Sequence, residues 1–77
     1  MYPNPLTENQ ELVLIGLEGD LNISVLDASG KMVWSKRLKN VANRITISDF
    51  RNGLAVGLYT VSILSESGSL TKRLVVR

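Results

Sequence analysis

Apolar residues alternate with polar ones in short runs along this chain, and this two-residue period constrains the fold more than any other feature. The apolar members of the two clearest runs are Leu21, Ile23 and Val25, and Tyr59, Val61 and Ile63. Because successive side chains of a strand point to opposite faces, the pattern predicts half-buried β-strands. No stretch sustains a helical period, so we predict an all-β protein.

Turn signals divide the chain into separate predicted strands. These strands cover residues 10–16, 21–28, 31–38, 43–48, 57–64 and 70–76. The turns between them are predicted at Glu18–Asp20, around Gly30, at Asn52-Gly53 and around Gly68, because Gly, Asn and Asp favour turn conformations. The predicted core also includes Ile45, Ile47, Leu74 and Val76. Such spacing is typical of a β-sandwich, here of six to seven short, mainly antiparallel strands.

Residues 1–9, the lead-in, precede the first predicted strand. Pro3 and Pro5 fix φ at their own positions and favour an extended conformation at the residue before each. A chain of 77 residues is enough for one domain. We therefore predict an extended lead-in at 1–9, the end of a linker, and a single β-domain at 10–77.

The chain contains neither cysteine nor histidine. A Ser–His–Asp or Cys–His nucleophile cannot be assembled, and no side chain has an unperturbed pKa near neutrality. A zinc site would have to use carboxylates alone, which is unusual. We therefore predict no enzymatic activity, no catalytic residues, no metal site and no cofactor.

The net charge of +2 is small and spread along the chain. The densest cationic group, within residues 36–44, lacks the interleaved aromatics of a nucleic-acid-binding strand, so it is interpreted as a solvated strand edge. No apolar run approaches the length of a membrane helix, which argues against direct membrane insertion. The N-terminus has no signal-peptide pattern, so an exported form would belong to a longer precursor.

Met32, Val33 and Trp34 place large apolar residues next to each other in the third predicted strand. Strand alternation predicts that Val33 faces away from Met32 and Trp34. We expect Trp34 to be half-covered by neighbouring strands, and a partner surface is the alternative. Asp20 and Asn22 have the spacing of calcium ligands, but the rest of a calcium loop is missing, so we assign them to turn chemistry.

Several short motifs occur in a fixed order along the whole chain. It opens with Y-P-N-P at residues 2–5, carries D-x-x-G-K-x-V at 27–33 and G-L-Y-x-V at 57–61, and closes with K-R-L-V-V-R at 72–77. This order resembles the type A C-terminal sorting domain of the type IX (Por) secretion system of Gram-negative bacteria. One departure is the segment 50–56, which is longer than the corresponding family loop and lacks its proline.

The resemblance implies an immunoglobulin-like β-sandwich that acts as a sorting signal. It would follow an N-terminal cargo domain in the same precursor, be recognised in the periplasm by the type IX translocon, and direct the cargo across the outer membrane. A sortase would then usually remove the domain, leaving the cargo at the cell surface or in the medium. The motifs carry over these suspected recognition residues: Tyr2, Pro3, Asn4, Pro5, Gly30, Gly57, Tyr59, Lys72, Arg73, Leu74, Val76 and Arg77.

Other classes of function stay open from the sequence. An accessory carbohydrate-binding or adhesion module of a secreted protein would generally display a planar row of aromatics. The aromatic residues here are Tyr2, Trp34, Phe50 and Tyr59. A homodimerising structural domain is a third class, and a weak homodimer is left open for the sorting domain too. The last predicted strand would offer a sheet edge for recognition by backbone pairing.

Overall fold

The alternating runs form one antiparallel sheet in the computed structural model, which describes residues 1–7, 10–47 and 54–77. The strands are β1 (Leu12–Leu26), β2 (Met32–Ile47), β3 (Gly57–Ser65) and β4 (Gly68–Val76). Their spatial order is β2-β1-β3-β4, and every pairing is antiparallel. The prediction of an all-β protein is confirmed.

The predicted strand number, six to seven, is wrong, because the described residues contain four strands. Strand β1 joins the first two predicted strands, and β2 joins the next two. The turn predicted at Glu18–Asp20 lies inside β1. The pairing of β1 with β2 shifts register there, and Gly16 and Gly19 adopt left-handed φ values of 80° and 85°. These residues therefore form bulges within a continuous hairpin rather than a chain reversal.

The bulges explain how a single long hairpin contributes both of its ends to one core. Before them the even-numbered Leu12 and Leu14 are buried, and after them the odd-numbered Leu21, Ile23 and Val25 are buried. An extra residue in a strand shifts the side-chain alternation by one position. Both ends of β1 consequently belong to the same hydrophobic cluster.

The predicted core is confirmed on every strand. The buried cluster consists of Leu6, Leu12, Leu14, Leu21, Ile23, Val25, Ile45, Ile47, Leu54, Tyr59, Val61, Ile63, Leu74 and Val76. The residues with no exposed surface come from the lead-in, β1, β3 and β4: Leu6, Ile23, Val61, Leu74 and Val76. The exposed ends of these strands extend beyond this core.

Both predicted hairpin loops are present. Gly30 has a φ of 88° in the loop between β1 and β2, as its turn position requires. The loop between β3 and β4 is closed by the pair Ser65 and Gly68, and Gly68 has a φ of 134°. The turn predicted at Asn52-Gly53 lies outside the described residues.

Trp34 is half-buried and packs against the core, as predicted. The strict alternation predicted around it is wrong. Strand β1 pairs Val25 with Trp34 and the next residue, Leu26, with Met32, so the register skips Val33. Met32 and Trp34 therefore do not share a face, because they lie opposite consecutive residues of β1.

Candidate functional site

The lead-in connects the first half of β1 to the outer edge of β4. Tyr2 and Val13 exchange both backbone hydrogen bonds, with N···O distances of 3.0 and 2.7 Å. The Leu6 N–H donates to the Val75 carbonyl at 2.7 Å, and the Arg77 N–H donates to the Leu6 carbonyl at 2.8 Å. The lead-in near the N-terminus therefore pairs with the end of β4 near the C-terminus.

The side chain of Asn4 acts here as a peptide unit would in a neighbouring strand. Its Oδ1 accepts from the Val75 N–H at 2.9 Å, and its Nδ2 donates to the Arg73 carbonyl at 2.9 Å. The flanking Pro3 and Pro5, both preceded by cis peptide bonds, have no N–H to donate. The hydrogen bonds to this part of β4 therefore come from the Asn4 amide and from the backbone of Leu6.

The last strand separates buried from exposed motif residues. Leu74 and Val76 are fully buried, whereas Lys72, Arg73 and Arg77 are exposed. The burial of Leu74 and Val76 confirms their predicted core positions. The exposed cations lie beside a lead-in that is itself held on the same strand, so the first and last motifs meet at one sheet edge.

The D-x-x-G motif forms a self-contained loop held by the carboxylate of Asp27. Its Oδ1 accepts from the Ser29 hydroxyl at 2.6 Å, the Ser29 N–H at 2.9 Å and the Lys31 N–H at 3.0 Å. The hydrogen bond from the Ser29 side chain, followed by that from the Lys31 backbone, lowers the pKa of Asp27. Ionised Asp27 therefore stabilises the loop in which Gly30 has its left-handed conformation.

The middle two motifs meet at a shallow cleft of about 270 Å³, lined by residues that include Asp27, Ser29, Gly57 and Tyr59. Tyr59 is 7% exposed, and its hydroxyl donates to the Ala55 carbonyl at 2.7 Å, which confirms its predicted core position. The order of the motifs led us to expect a constrained backbone at Gly57, and this prediction is wrong. It has no left-handed φ, and a Cβ there would lie 3.9 Å from Tyr59 Cε2, an ordinary contact.

Two residues that hold the lead-in on the sheet, Leu6 and Val13, were not predicted as part of the site. Leu6 is fully buried and pairs through its backbone with Val75 and Arg77. Val13 is 7% exposed and pairs with Tyr2. The apolar Leu6 directly after the Y-P-N-P motif is the sequence signal that a buried position follows it. The partners of Leu6 and Val13 depend on contacts between distant parts of the chain.

Within residues 1–7, 10–47 and 54–77, no three Asp or Glu side chains are grouped closely enough to hold a metal ion. No helix long and apolar enough to cross a membrane occurs in that part of the chain.

The comparisons with known proteins agree with this arrangement of motifs. The family model of secretion system C-terminal sorting domains matches residues 1–77. The chain therefore belongs to this family, whose members are C-terminal sorting signals of type IX secretion. Proteins sorted in this way are secreted across the outer membrane of Gram-negative bacteria to the cell surface or the extracellular space.

Among solved structures, the fold is similar to part of PorZ, described as an essential bacterial surface component of the type IX secretion system of Porphyromonas gingivalis. The similarity has a TM-score of 0.74 at 22% sequence identity. It covers 99% of this chain but 11% of the PorZ chain, so it concerns the fold of this one domain. The comparison with curated proteins gives no match.

Proposed function

We propose that this sorting signal is recognised through a single folded surface formed by the lead-in and β4. The observation that carries the proposal is the bridge from the Asn4 amide to the backbone of Arg73 and Val75. It brings the first and last motifs of the chain together and leaves Lys72 and Arg73 exposed beside them. The translocon would therefore recognise a folded domain rather than a linear C-terminal peptide.

The cargo would precede the lead-in, and the precursor would be recognised in the periplasm before it crosses the outer membrane. A sortase would then cut on the cargo side of Tyr2. The backbone pairing of Tyr2 with Val13 makes Tyr2 part of the folded domain. A protease needs an extended, accessible substrate segment, so the pairing supports a cut before Tyr2. The domain itself would have no enzymatic activity.

We further propose the immunoglobulin-like sandwich of the family as the arrangement of the described sheet. The domain would comprise the lead-in at 1–9 and the β-domain at 10–77, and the described residues 1–7 would close one side of the described sheet. The common core formed by both ends of the β1–β2 hairpin supports this arrangement. A hairpin bent at Gly16 and Gly19 can cover the sheet that its other end belongs to.

The accessory-module alternative has less support from the described residues. Trp34 packs partly against the core, and Tyr59 is buried. Tyr2 is 46% exposed and lies on the lead-in. The described aromatic side chains therefore do not form the planar row that a carbohydrate-binding surface of this kind generally displays.

Export of a reporter tests the sorting function. A soluble reporter with a Sec signal is fused before Met1 and expressed in a bacterium that has the type IX system, and in a matched strain that lacks its translocon. We expect the reporter at the surface or in the medium of the first strain and in the periplasm of the second. Equal export in both strains, or undiminished export without residues 70–77, would contradict the proposal and favour an accessory module.

A further inference from the structure

The outer edge of β4 is occupied over only part of its length. Arg73, Val75 and Arg77 direct backbone groups away from β3, as their hydrogen bonds to the lead-in show. The register of β4 with β3 is unbroken from Gly68 to Val76. Since outward-facing residues alternate along an antiparallel strand, the residues at 69 and 71 also direct their N–H and C=O groups outward.

These remaining groups have no partner within the described part of the chain. No hydrogen bond there reaches the outward N–H and C=O of Ser69 and Thr71, or the N–H of Arg73. All three residues are exposed. We call residues 69–73 the open edge; it begins at the β3–β4 loop and ends where the Asn4 side chain begins to cover the strand.

The open edge carries cations on both of its faces. Lys72 and Arg73 are consecutive, so their side chains point to opposite faces of the sheet. Both are exposed, and their cross-strand partners are the uncharged Val61 and Thr60. Within the described ranges, neither side chain forms an ion pair with a carboxylate. The charge of this edge is therefore available to an acidic partner.

The opposite edge of the sheet is less regular. Strand β2 contains Asn40 and Asn43 with left-handed φ values of 54° and 69°. Its register with β1 also shifts opposite Val25. Bulges and irregular residues of this kind discourage the addition of a further strand. The open edge of β4 has no such interruption.

We propose that the open edge binds an extended acidic segment of a type IX translocon protein, which adds to the sheet as a further strand. Pairing with Ser69, Thr71 and Arg73 supplies the backbone hydrogen bonds. Carboxylates on the two faces of the added segment pair with Lys72 and Arg73. The inference rests on the proposed sorting function and adds to it the position and the chemistry of the docking partner.

A proline at residue 71 tests the backbone pairing. Thr71→Pro removes an outward N–H while leaving the hydrogen bonds between β3 and β4 intact, and Thr71→Ala is the matched control that keeps the N–H. Both variants are measured in the reporter fusion, and their folding is checked by thermal melting of the isolated domain. We expect Thr71→Pro to lose most of the exported reporter and Thr71→Ala to retain it. Normal export of a folded Thr71→Pro domain would overturn the inference.

Charge reversal provides a second test, which does not depend on whether β4 tolerates a proline. Lys72→Glu with Arg73→Glu is compared with Lys36→Glu with Arg37→Glu, which makes the same change in charge on β2. We expect export to fall for the first pair only. Equal export for both pairs, or an equal loss, would overturn an acidic partner at the open edge.

The outcomes separate this inference from the sorting function. Failure of the intact fusion to be exported contradicts the sorting function, whereas normal export of all these variants contradicts only the docking edge. Sedimentation tests the remaining alternative, in which a second copy of the chain binds the open edge. If the intact domain is a dimer and Thr71→Pro is a monomer, the edge binds a second copy of the chain, and the translocon segment is wrong.

Discussion

The side chain of Asn4 accepts a hydrogen bond from the backbone of Val75 at 2.9 Å, although 71 positions separate the two residues in sequence. The same amide donates to the carbonyl of Arg73. A short polar side chain thus covers part of a sheet edge where the neighbouring prolines cannot. Motifs at opposite ends of the chain consequently depend on each other for their conformation.

Replacing Asn4 tests this dependence. A hydrogen bond contributes about 0.5–1.5 kcal/mol net, and the exposed position of the two Asn4 bonds points to the low end for each. Because Asn4→Ala removes both bonds, we expect it to destabilise the domain by about 1 kcal/mol. The melting temperature would fall by about 4–8 °C. Asn4→Asp keeps the acceptor for Val75 and loses the donor to Arg73. Its melting temperature should therefore lie between those of the wild type and Asn4→Ala.

Asn22→Ala is the control for Asn4→Ala. Its side chain accepts from the exposed Arg37 guanidinium and does not connect distant ends of the chain. It should change the melting temperature less than Asn4→Ala does. Equal shifts for both variants would show that the contact between Asn4 and β4 has no special role in stability.

Tyr59 is expected to be essential for folding. Removing a large buried side chain costs about 3–5 kcal/mol, which approaches the whole stability of so small a domain. Tyr59→Ala should therefore be largely unfolded at room temperature by circular dichroism. Tyr59→Phe loses the hydrogen bond to Ala55 and should cost about 1 kcal/mol. A cooperative melt of Tyr59→Ala near that of the wild type would contradict the core assignment.

Leu74 and Leu70 provide a matched pair on the same face of β4. Leu74 is fully buried, whereas Leu70 is 42% exposed. Leu74→Asp places a charge in the core without a partner and should abolish both cooperative melting and export. Leu70→Asp should retain the fold, since its carboxylate remains in contact with water. The core assignment at β4 would be wrong if Leu74→Asp melted as cooperatively as Leu70→Asp.

Asp27 makes the stability of the domain sensitive to acid. Its pKa is lowered in the folded state, mainly by the hydrogen bond from the Ser29 side chain, so the unfolded state binds more protons. The stabilising contribution is therefore complete above the ordinary carboxyl pKa of about 3.9 and is lost as the pH falls through the lower folded value. Asp27→Asn should flatten this part of the dependence of melting temperature on pH.

Glu66→Gln is the control for Asp27→Asn, because it removes a carboxylate from the other hairpin loop. It should leave the loss of stability in acid close to that of the wild type. An identical pH profile for Asp27→Asn and the wild type would show that the hydrogen bonds of the Asp27 carboxylate do not contribute to folding.

Gly19 and Gly57 are expected to respond differently to alanine. Gly19 has a φ of 85°, and a left-handed conformation costs a residue with a Cβ about 1–2 kcal/mol. Gly57 has room for a Cβ and no left-handed φ, so Gly57→Ala should change the stability by less than about 0.5 kcal/mol. Urea unfolding of the two variants measures the difference, and a larger loss for Gly57→Ala would contradict the backbone conformations described here.

The order of the short motifs in the sequence was enough to indicate the family, and the alternation of apolar residues determined which side chains are buried. The faces predicted from residues 21–25 and 59–63, and from Leu74 and Val76, are the ones that form the core. This succeeds because strand alternation is a local property of the backbone. The hairpin loops at Gly30 and Gly68 were predictable for the same local reason.

The tertiary structure decided the features that depend on pairing between distant segments. Glu18–Asp20 has the composition of a turn, but the continuous pairing of β1 with β2 makes it a bulge, because the ladder on both sides holds the chain in the sheet. The partners of Asn4 lie at the far end of the sequence, and no local pattern identifies them. Which part of β4 stays open likewise depends on where the lead-in lies, since the hydrogen-bonding groups of a strand are the same in every residue except proline.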